Sequence, residues 1–453
     1  MRRKKRRGIY LFGILLVVLG VGGYYLYTSQ TFERNAPKIE IADEIFWSLK
    51  QPLKLVLEDD TGIKEYKVIM SDGKSKETVD LAKLANPQKR IELSIKPPAG
   101  LELEGDRALL EIEVRDKSLW NYFLGNSAKK LVHIHIDRKK PDLYIVTNSY
   151  GIRKGGSALV IFHCQDKNLK EFFIKTNFGK KFQAQPFFKD GYYIALIAWP
   201  ITQERFRADI VAYDKAGNRS KAYIPLYLKQ KRYRISKITL KDSFLQGKIE
   251  TLAQEYPETA NMTPIQKFKF VNETLRERNE KLIHELASKV SQARIDDFPI
   301  TPFYPLKNAA VVASFGDHRY YYYKGKLVSE SYHMGLDLAS VRQAPVKLGN
   351  DGEVVYADFN GIYGNMPLID HGLGLYTLYA HCSTLYVKKG DEVAKGETIA
   401  KTGSTGLALG DHLHFGVLVQ GIEVRPEEWM DRKWIKDNVT QVIKDAKKII
   451  DSK

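Results

Sequence analysis

The order of apolar and polar residues first predicts a membrane-spanning helix near the N-terminus. An uncharged run, GIYLFGILLVVLGVGGYYLY at residues 8–27, follows the cationic flank at residues 1–7. Twenty helical residues match the hydrocarbon core of a bilayer, which is about 30 Å thick. The basic flank is expected to stay in the cytoplasm and the rest of the chain to be exported. A cleaved signal peptide is the alternative, but YLYTSQTF is a poor small-residue cleavage site, which favours an uncleaved anchor.

The next part of the chain alternates between apolar and polar positions, as short β-strands do. Residues 36–138 and 139–229 resemble two copies of one unit, because each opens with an extended run after a proline and closes with a strand and an Asp-Lys turn. The closing segments read LEIEVRDKSLWN and ADIVAYDKAGNRS. Short strands with turns at this spacing are typical of small sandwiches. We therefore expect two immunoglobulin-like β-sandwiches.

A helical period replaces the alternation in residues 236–298. Apolar positions close to a 3.6-residue repeat are Phe268, Val271, Leu275, Leu282 and Leu286. Thr263 followed by Pro264 suits a helix cap and first turn. The pattern predicts a helical spacer or hairpin between the β units and the segment that follows.

Short strands with many glycines return in residues 300–426, and residues 427–453 form a predicted amphipathic helix with a basic polar face. We expect that helix to pack on its own domain, with contact to a membrane surface as the alternative. The predicted fold class is a multidomain, mostly β chain with an N-terminal transmembrane helix, two sandwiches, a helical spacer and a β-rich C-terminal domain.

Composition narrows the range of functions. The chain of 453 residues is too long for one ordinary domain, and its 43% hydrophobic content is too high for a disordered chain. The net charge of +17 is spread along the chain outside residues 2–7. This argues against a nucleic-acid-binding arm and weakly favours a polyanionic neighbour such as a cell wall or lipid headgroups. Two cysteines, Cys164 and Cys382, cannot form a disulfide scaffold.

Histidines concentrate in the glycine-rich part of the chain. Five of the ten lie between residues 333 and 414. His333 and Asp337 are four apart in YHMGLD, His381 follows a strand-like run, and His412 and His414 share one face of a predicted strand in GDHLHFGV. A structural zinc site closes with four ligands, whereas a catalytic zinc keeps three and a water. The remaining imidazoles could then polarise that water or hold a developing anion.

Alternation alone does not decide which of His412 and His414 would bind metal. The same spacing occurs in LVHIHID, where His133 and His135 have no companion motif, so this pair is expected on a half-solvated strand. His371 is expected to stabilise a turn rather than touch a metal.

Five stretches in this region resemble the lysostaphin-type (LytM-like) zinc endopeptidases, which cut stem peptides or cross-bridges of bacterial peptidoglycan. They are FGDHR, HMGLDLA, NDGEVVYA, IDHGLGLYTLYAHCSTLYVKKGDEVAKGETIAKTGSTG and GDHLHFGV, in this order within residues 300–426. The resemblance implies one zinc ion held by His333, Asp337 and His414. It also implies that His381 and His412 are the catalytic pair outside the ligand set.

The resemblance and the predicted anchor together imply a location and partners. We expect a single-pass protein of the cytoplasmic (inner) membrane, anchored through residues 8–27, with its other domains in the periplasm or outside the membrane. The substrate would be peptidoglycan peptide, and the β units could bind envelope proteins; nucleic acid is not an expected partner. The alternative function is a non-catalytic or latent regulator of other cell-wall hydrolases, but relatives of that kind lack at least one of the five side chains.

Overall fold

The computed structural model describes the backbone of residues 2–100, 103 and 105–452, and the side chains of these residues from Ile9 onward. Two compact units divide the chain. The first comprises residues 1–141, 166–170 and 213–219, and the second comprises residues 142–165, 171–212 and 220–453. The chain is mostly β, as expected, with an apolar helix at its beginning.

The first element is the helix α1 (Arg2–Thr28). Its part Ile9–Thr28 has a mean hydropathy of 2.1, and within the described ranges it is the one helix long and apolar enough to cross a membrane. Its side chains from Ile9 to Tyr27 are exposed. An apolar helix is therefore present where the sequence predicts a membrane span, although a signal sequence would show the same helix.

One six-stranded sheet follows in the first unit, in the order β1-β3-β5-β6-β2 with β4 paired to β3. Its strands are β1 (Lys38–Glu40), β2 (Glu44–Trp47), β3 (Leu53–Ser71), β4 (Lys76–Ile95), β5 (Arg107–Asp116) and β6 (Ser127–Ile136). Alternate residues of β5 and β6 enter one apolar core with Leu57 and Val68. His133 and His135 lie between the buried positions of β6, so this pair is on the outer face. An irregular turn, α2 (Trp120–Phe123), joins β5 to β6.

Two four-stranded sheets and a two-stranded ribbon occupy residues 142–229. Their orders are β11-β10-β14-β15, β12-β13-β9-β7 and β16-β8. The strands are β7 (Asp142–Asn148), β8 (Gly151–Arg153), β9 (Ser157–Gln165), β10 (Leu169–Thr176), β11 (Lys181–Phe182), β12 (Gln185–Pro186), β13 (Tyr192–Ala198), β14 (Ala208–Asp214), β15 (Arg219–Tyr223) and β16 (Tyr227–Lys229). The immunoglobulin-like description of this part and of the first unit stays a prediction.

Residues 235–287 begin with a strand, which corrects part of the helical prediction. Ile235–Thr239 is β17, which pairs in parallel with β19, so residues 236–239 are not helical. The helices are α3 (Asp242–Phe244), α4 (Glu250–Ala253), α5 (Pro264–Lys269) and α6 (Arg276–Leu286), joined by π-helical turns (Leu245–Ile249, Phe270–Leu275) and a 3-10 turn (Pro257–Thr259).

The helical segment has the predicted cap and apolar face. Thr263 accepts from the backbone N–H of Gln266, whose side chain reaches back to the cap, so α5 starts with a capping box. Phe268 and Val271 are buried in one cluster with Leu368 and Leu378 of the sheet beyond. The period in the sequence therefore reflects burial against that sheet.

An eight-stranded sheet carries the functional side chains, in the order β18-β21-β29-β25-β24-β23-β27 with β30 paired to β29. Two three-stranded sheets, β17-β19-β20 and β22-β28-β26, accompany it. The strands are β18 (Ala310–Ala313), β19 (Asp317–Tyr323), β20 (Lys326–His333), β21 (Leu336–Ala339), β22 (Pro345–Lys347), β23 (Gly352–Phe359), β24 (Asn365–Asp370), β25 (Leu375–Ala380), β26 (Thr384–Leu385), β27 (Glu392–Val393), β28 (Thr398–Lys401), β29 (Leu413–Val419) and β30 (Ile422–Val424).

A series of helices follows β30, and the last of them lies against β7. They are α7 (Pro426–Trp429), α8 (Arg432–Ile435), a π-helical turn (Lys436–Thr440) and α9 (Gln441–Asp451). Ser149 donates its hydroxyl to the carbonyl of Asn438 at 2.8 Å, and Thr147 donates to that of Val442 at 3.1 Å. Val442, Ile443, Ala446 and Ile450 are buried. The expectation that residues 427–453 pack on residues 300–426 is therefore corrected for α9, whose apolar face lies against β7 and β9, whereas α7 does contact β29.

Candidate metal centre and active site

Three side chains converge at one end of the eight-stranded sheet. His333 ends β20, Asp337 lies in β21, and His414 lies in β29 directly opposite Asp337 in the antiparallel register. Asp337 Oδ1 is 2.9 Å from His333 Nε2 and 2.9 Å from His414 Nδ1. The two ring nitrogens are 3.0 Å apart. These three atoms are close enough to bind one metal ion.

The donor set fits a metal ion. Two imidazole nitrogens and one carboxylate oxygen are ligands that zinc and related divalent ions bind. The Nδ1 atom of His333 lies 2.9 Å from the carbonyl oxygen of Ser314, which can only accept, so Nδ1 carries the proton and Nε2 presents its lone pair to the cluster. His333, Asp337 and His414 could therefore hold a metal ion, and their geometry alone does not select which one.

The protonation states also suit ligation. Burial by itself raises the pKa of Asp337, but the adjacent imidazoles of His333 and His414 outweigh it and hold that pKa far below its usual range. Burial lowers the pKa of His414 to about 4. The carboxylate is therefore ionised and the imidazole of His414 is neutral near pH 7, as metal ligands must be.

Two further histidines face the same end of the sheet. His381 follows β25 with a φ of +66°, and its Nδ1–H donates to the carbonyl of Thr405 at 2.9 Å. His412 donates its Nδ1–H to the carbonyl of Gly410 at 2.8 Å, and its Nε2 lies 3.7 Å from Asp337 Oδ1. The rings of His381 and His412 have centroids 4.9 Å apart. In the neutral form of each ring, these bonds leave the lone pair on Nε2, beside the three convergent donors.

Comparison with known families identifies this region. Residues 331–426 match the model of Peptidase family M23. These residues form an M23 peptidase domain. The match confirms the family resemblance read from the motifs, and the FGDHR stretch lies just before the matched residues.

Several curated proteins are similar to part of this chain. The chain is 39% identical over 94 residues to the DD-carboxypeptidase/endopeptidase Mpg of Neisseria meningitidis serogroup B, covering 21% of this chain and 22% of that protein. It is 39% identical over 89 residues to the peptidoglycan DD-endopeptidase ShyA of Vibrio cholerae, covering 20% and 21%. The match thus covers about a fifth of the length of each of these two relatives.

Among solved structures, the catalytic domain of lysostaphin from Staphylococcus simulans matches with 28% identity. The match covers 27% of this chain and 92% of that one, with a TM-score of 0.23.

A cavity of about 740 Å³ opens beside the five side chains of the M23 domain. Its opposite wall belongs to the helical segment, through Leu240, Lys241, Phe244, Lys248, Phe268, Asn272 and Arg276. Lys248 donates from Nζ to the carbonyl of Ser404 at 2.9 Å and so links the helical segment to the M23 domain. The sequence left open whether the helical segment covers the groove, because an apolar helical face does not identify the surface that it packs against.

Tyr363 also contacts the centre, although the motifs did not single it out. It is buried, and its ring meets that of His414 edge-on, with centroids 5.8 Å apart. Burial raises its pKa well above the ordinary value, so it is a neutral phenol. Its turn is held from the helical segment, because Asn279 Oδ1 accepts the backbone N–H of Ile362 at 2.9 Å. Gly361 has a φ of +50°, and a Cβ there would lie 2.3 Å from Asn279 Oδ1.

Other candidate residues of the M23 domain lie outside the centre. His371 donates to the carbonyl of Asp351 and accepts from the hydroxyl of Thr377, both at 2.7 Å. Both ring nitrogens are therefore hydrogen-bonded within the domain, and neither is left to bind a metal ion. Cys382 is buried, and burial raises the pKa of its thiol to about 12. It is therefore a neutral thiol near pH 7 and a poor nucleophile or metal ligand.

Proposed function

We propose that this chain is a membrane-anchored zinc metalloendopeptidase that hydrolyses peptide bonds in the stem peptides or cross-bridges of peptidoglycan. The observation that carries the proposal is the convergence of His333, Asp337 and His414, with donor atoms 2.9–3.0 Å apart, beside His381 and His412 in an open cavity. The peptidoglycan endopeptidase names of the relatives support the substrate class.

His333, Asp337 and His414 are the proposed ligands of one zinc ion. A zinc ion bound there would supply a Lewis acid that lowers the pKa of a water to about 7 and polarises a carbonyl. The protein contributes a single negative charge to this set, since the imidazole of His414 is neutral and Asp337 is ionised. Strand register holds Asp337 opposite His414, so the ligands are positioned by the sheet rather than by loops.

His381 and His412 are the proposed catalytic pair. Their Nδ1 protons are committed to the carbonyls of Thr405 and Gly410, so each ring can take a proton only at Nε2. One ring accepts the proton of the attacking water, and the imidazolium that results donates to the oxyanion or to the leaving amine. General acid–base catalysis of this kind is worth a factor of about 10² to 10⁴ in rate.

The proposed topology brings the enzyme to its substrate. If α1 is the anchor, the M23 domain is outside the cytoplasmic membrane, where peptidoglycan lies. The length and mean hydropathy of Ile9–Thr28 support this arrangement. The β parts over residues 36–138 and 139–229 would hold the M23 domain at a distance from the bilayer or bind envelope proteins.

Cleavage of purified sacculi tests the proposal. The full chain in detergent is incubated with sacculi, with and without a chelator, and the released muropeptides are analysed. We expect new peptide ends that disappear with the chelator and return with added zinc. The variant His414→Ala should be inactive, whereas His371→Ala, which changes a histidine outside the centre, should retain activity. Cleavage that persists after metal removal would refute the mechanism.

A latent enzyme is the second candidate, because the helical segment forms a wall of the cavity and Lys248 reaches across to Ser404. Removal of that link by Lys248→Ala should then raise sacculus cleavage above the level of the unmodified chain. A non-catalytic regulator would leave sacculi intact in both forms. The presence of all five site residues favours an enzyme over such a regulator.

A further inference from the structure

An aromatic loop, residues 119–124 with the sequence LWNYFL, projects from the first unit into solvent. The exposed fractions of Tyr122, Phe123 and Leu124 are 91%, 69% and 58%. Three consecutive large apolar or aromatic side chains with this exposure form a surface that a soluble domain normally covers.

The backbone of the aromatic loop is held in an unfavourable conformation. Asn121, Tyr122 and Phe123 have φ values of +53°, +55° and +68°. Such angles are unfavourable for residues with a Cβ, and three in succession persist only where neighbouring contacts impose them. These contacts are present at the base of the loop, where Ser118 accepts the backbone N–H of Trp120 at 3.0 Å and Trp120 accepts that of Gly125 at 3.1 Å. The strained backbone therefore holds apolar side chains in an exposed position, and this exposure does not stabilise the fold in water.

The aromatic loop is tied to the end of α1. The backbone N–H of Leu119 donates to the carbonyl of Thr31 at 2.8 Å, and the hydroxyl of Ser118 donates to that of Glu33 at 2.6 Å. The guanidinium of Arg34 lies 4.7 Å from the ring centre of Tyr27 and 4.4 Å from that of Trp120. Tyr27, at the end of the apolar helix, and Trp120, at the start of the loop, are thus separated by one guanidinium group.

We propose that the aromatic loop inserts into the headgroup boundary of the leaflet from which α1 emerges, as a second membrane contact of the first unit. The inference rests on the proposed anchor. Tyr and Trp rings favour this boundary because one part of each ring is apolar and the other is polar, and Arg34 can place its charge among the headgroups. Continuity with the apolar helix identifies the bilayer as the occupant of this surface. The loop then restricts rotation of the first unit about its anchor.

Fluorescence quenching in vesicles tests the inference on the full chain. Cys164 and Cys382 are both buried, so a thiol introduced on the surface can be labelled selectively with an environment-sensitive dye. The labelled variants are Tyr122→Cys and Leu124→Cys in the loop. Leu15→Cys in α1 is the positive control, and Leu81→Cys, an exposed apolar position on β4 of the same unit, is the matched negative control.

Each variant is reconstituted in vesicles of phosphatidylethanolamine and phosphatidylglycerol that carry a nitroxide at the headgroup or at the acyl-chain end. We expect the headgroup nitroxide to quench both loop labels, with a blue shift of their emission. The acyl-chain nitroxide should quench the label at Leu15, and neither should quench the label at Leu81. Two loop sites guard against a local effect of one substitution.

The remaining outcomes overturn the inference in distinguishable ways. If the Leu15 label is quenched and both loop labels are not, the anchor stands and the loop contact is wrong. If none of the labels is quenched, the anchor is wrong as well. If the loop labels quench each other between chains without quenching by lipid, the surface binds a second copy of this chain. Sacculus cleavage by the same samples reports separately on the proposed peptidase activity.

Discussion

His381 donates a hydrogen bond from Nδ1–H to the carbonyl oxygen of Thr405, over 2.9 Å. A carbonyl oxygen only accepts, so this bond assigns the proton to Nδ1 and the lone pair to Nε2. Burial and the neighbouring His414 and His412 lower the pKa of His381 to about 3, so the ring is neutral near pH 7. His381 therefore presents a lone pair at one defined atom, Nε2.

The first prediction separates catalysis from metal binding. The substitution His381→Ala should lower the rate of muropeptide release about 10² to 10⁴-fold, because it removes the proton acceptor. The metal content should stay unchanged, since His381 is outside the group of donors that could share one ion. Measured rates and bound zinc per chain decide the question. Loss of metal together with activity would show that His381 is a ligand.

The second prediction concerns the two histidines of HLH. His414 Nδ1 lies 2.9 Å from Asp337 Oδ1, whereas His412 Nε2 lies 3.7 Å from it. After dialysis, His414→Ala should have lost its zinc and His412→Ala should retain it, with both variants impaired in sacculus cleavage. Elemental analysis of the two variants side by side provides the measurement. Equal zinc loss would refute the assignment of His414 alone as the ligand from this pair.

The sequence predicted the M23 domain because its motifs are short, local and in a fixed order. Residues 333–339 and 410–417 bring Asp337 and His414 to opposite positions in β21 and β29. The family resemblance of these motifs, and not their spacing, implied that the two side chains belong to one site. Alternation did not distinguish His412 from His414, because residues two apart project to the same side of an extended chain; His412 lies just before β29 and His414 lies in it. The distinction depends on distances to Asp337, which no local pattern contains.

Long-range partners were beyond the reach of the sequence. The period of Phe268 and Val271 indicates an apolar face, but the hydrophobic effect is non-directional and does not say which surface will cover it. For the same reason the partner of α9 was misassigned. The strand at residues 236–239 was missed because its parallel pairing with β19 joins segments about eighty residues apart in the chain.

The third prediction tests the contact between the helical segment and the turn of Tyr363. Asn279 accepts the backbone N–H of Ile362 at 2.9 Å, and both residues are buried. Asn279→Ala leaves that N–H without its acceptor and should lower the free energy of unfolding by about 1–3 kcal/mol. Denaturant unfolding in detergent measures the change. Lys281→Ala, on the exposed side of α6, is the control and should cost less than about 0.5 kcal/mol. Equal stability of the two variants would show that the contact does not hold the turn.

The last prediction concerns the pH dependence of stability and centres on Glu428. This side chain is only 7% exposed, and its Oε2 accepts the backbone N–H of Ser157 at 3.1 Å. Burial raises the pKa of Glu428 from 4.5 to about 7, against the opposing effects of Ser157 and Arg425. Between these two pH values the folded chain keeps a proton that the unfolded chain has released. The contribution of Glu428 to the free energy of unfolding should therefore be fully present below pH 4.5 and be lost as the pH rises through 7.

One pKa unit corresponds to about 1.36 kcal/mol, so this group alone lowers stability by about 3 kcal/mol across that interval. Glu428→Gln cannot ionise and should remove this part of the slope, with its largest gain relative to the unmodified chain above pH 7. Denaturant unfolding at a series of pH values measures both chains, and Glu285→Gln, an exposed position on α6, controls for the loss of a surface carboxylate. A slope in Glu428→Gln equal to that of the unmodified chain would mean that the folded state solvates or pairs this carboxylate. In that case the contact of α7 with Ser157 would be an open, hydrated one rather than the buried contact described above.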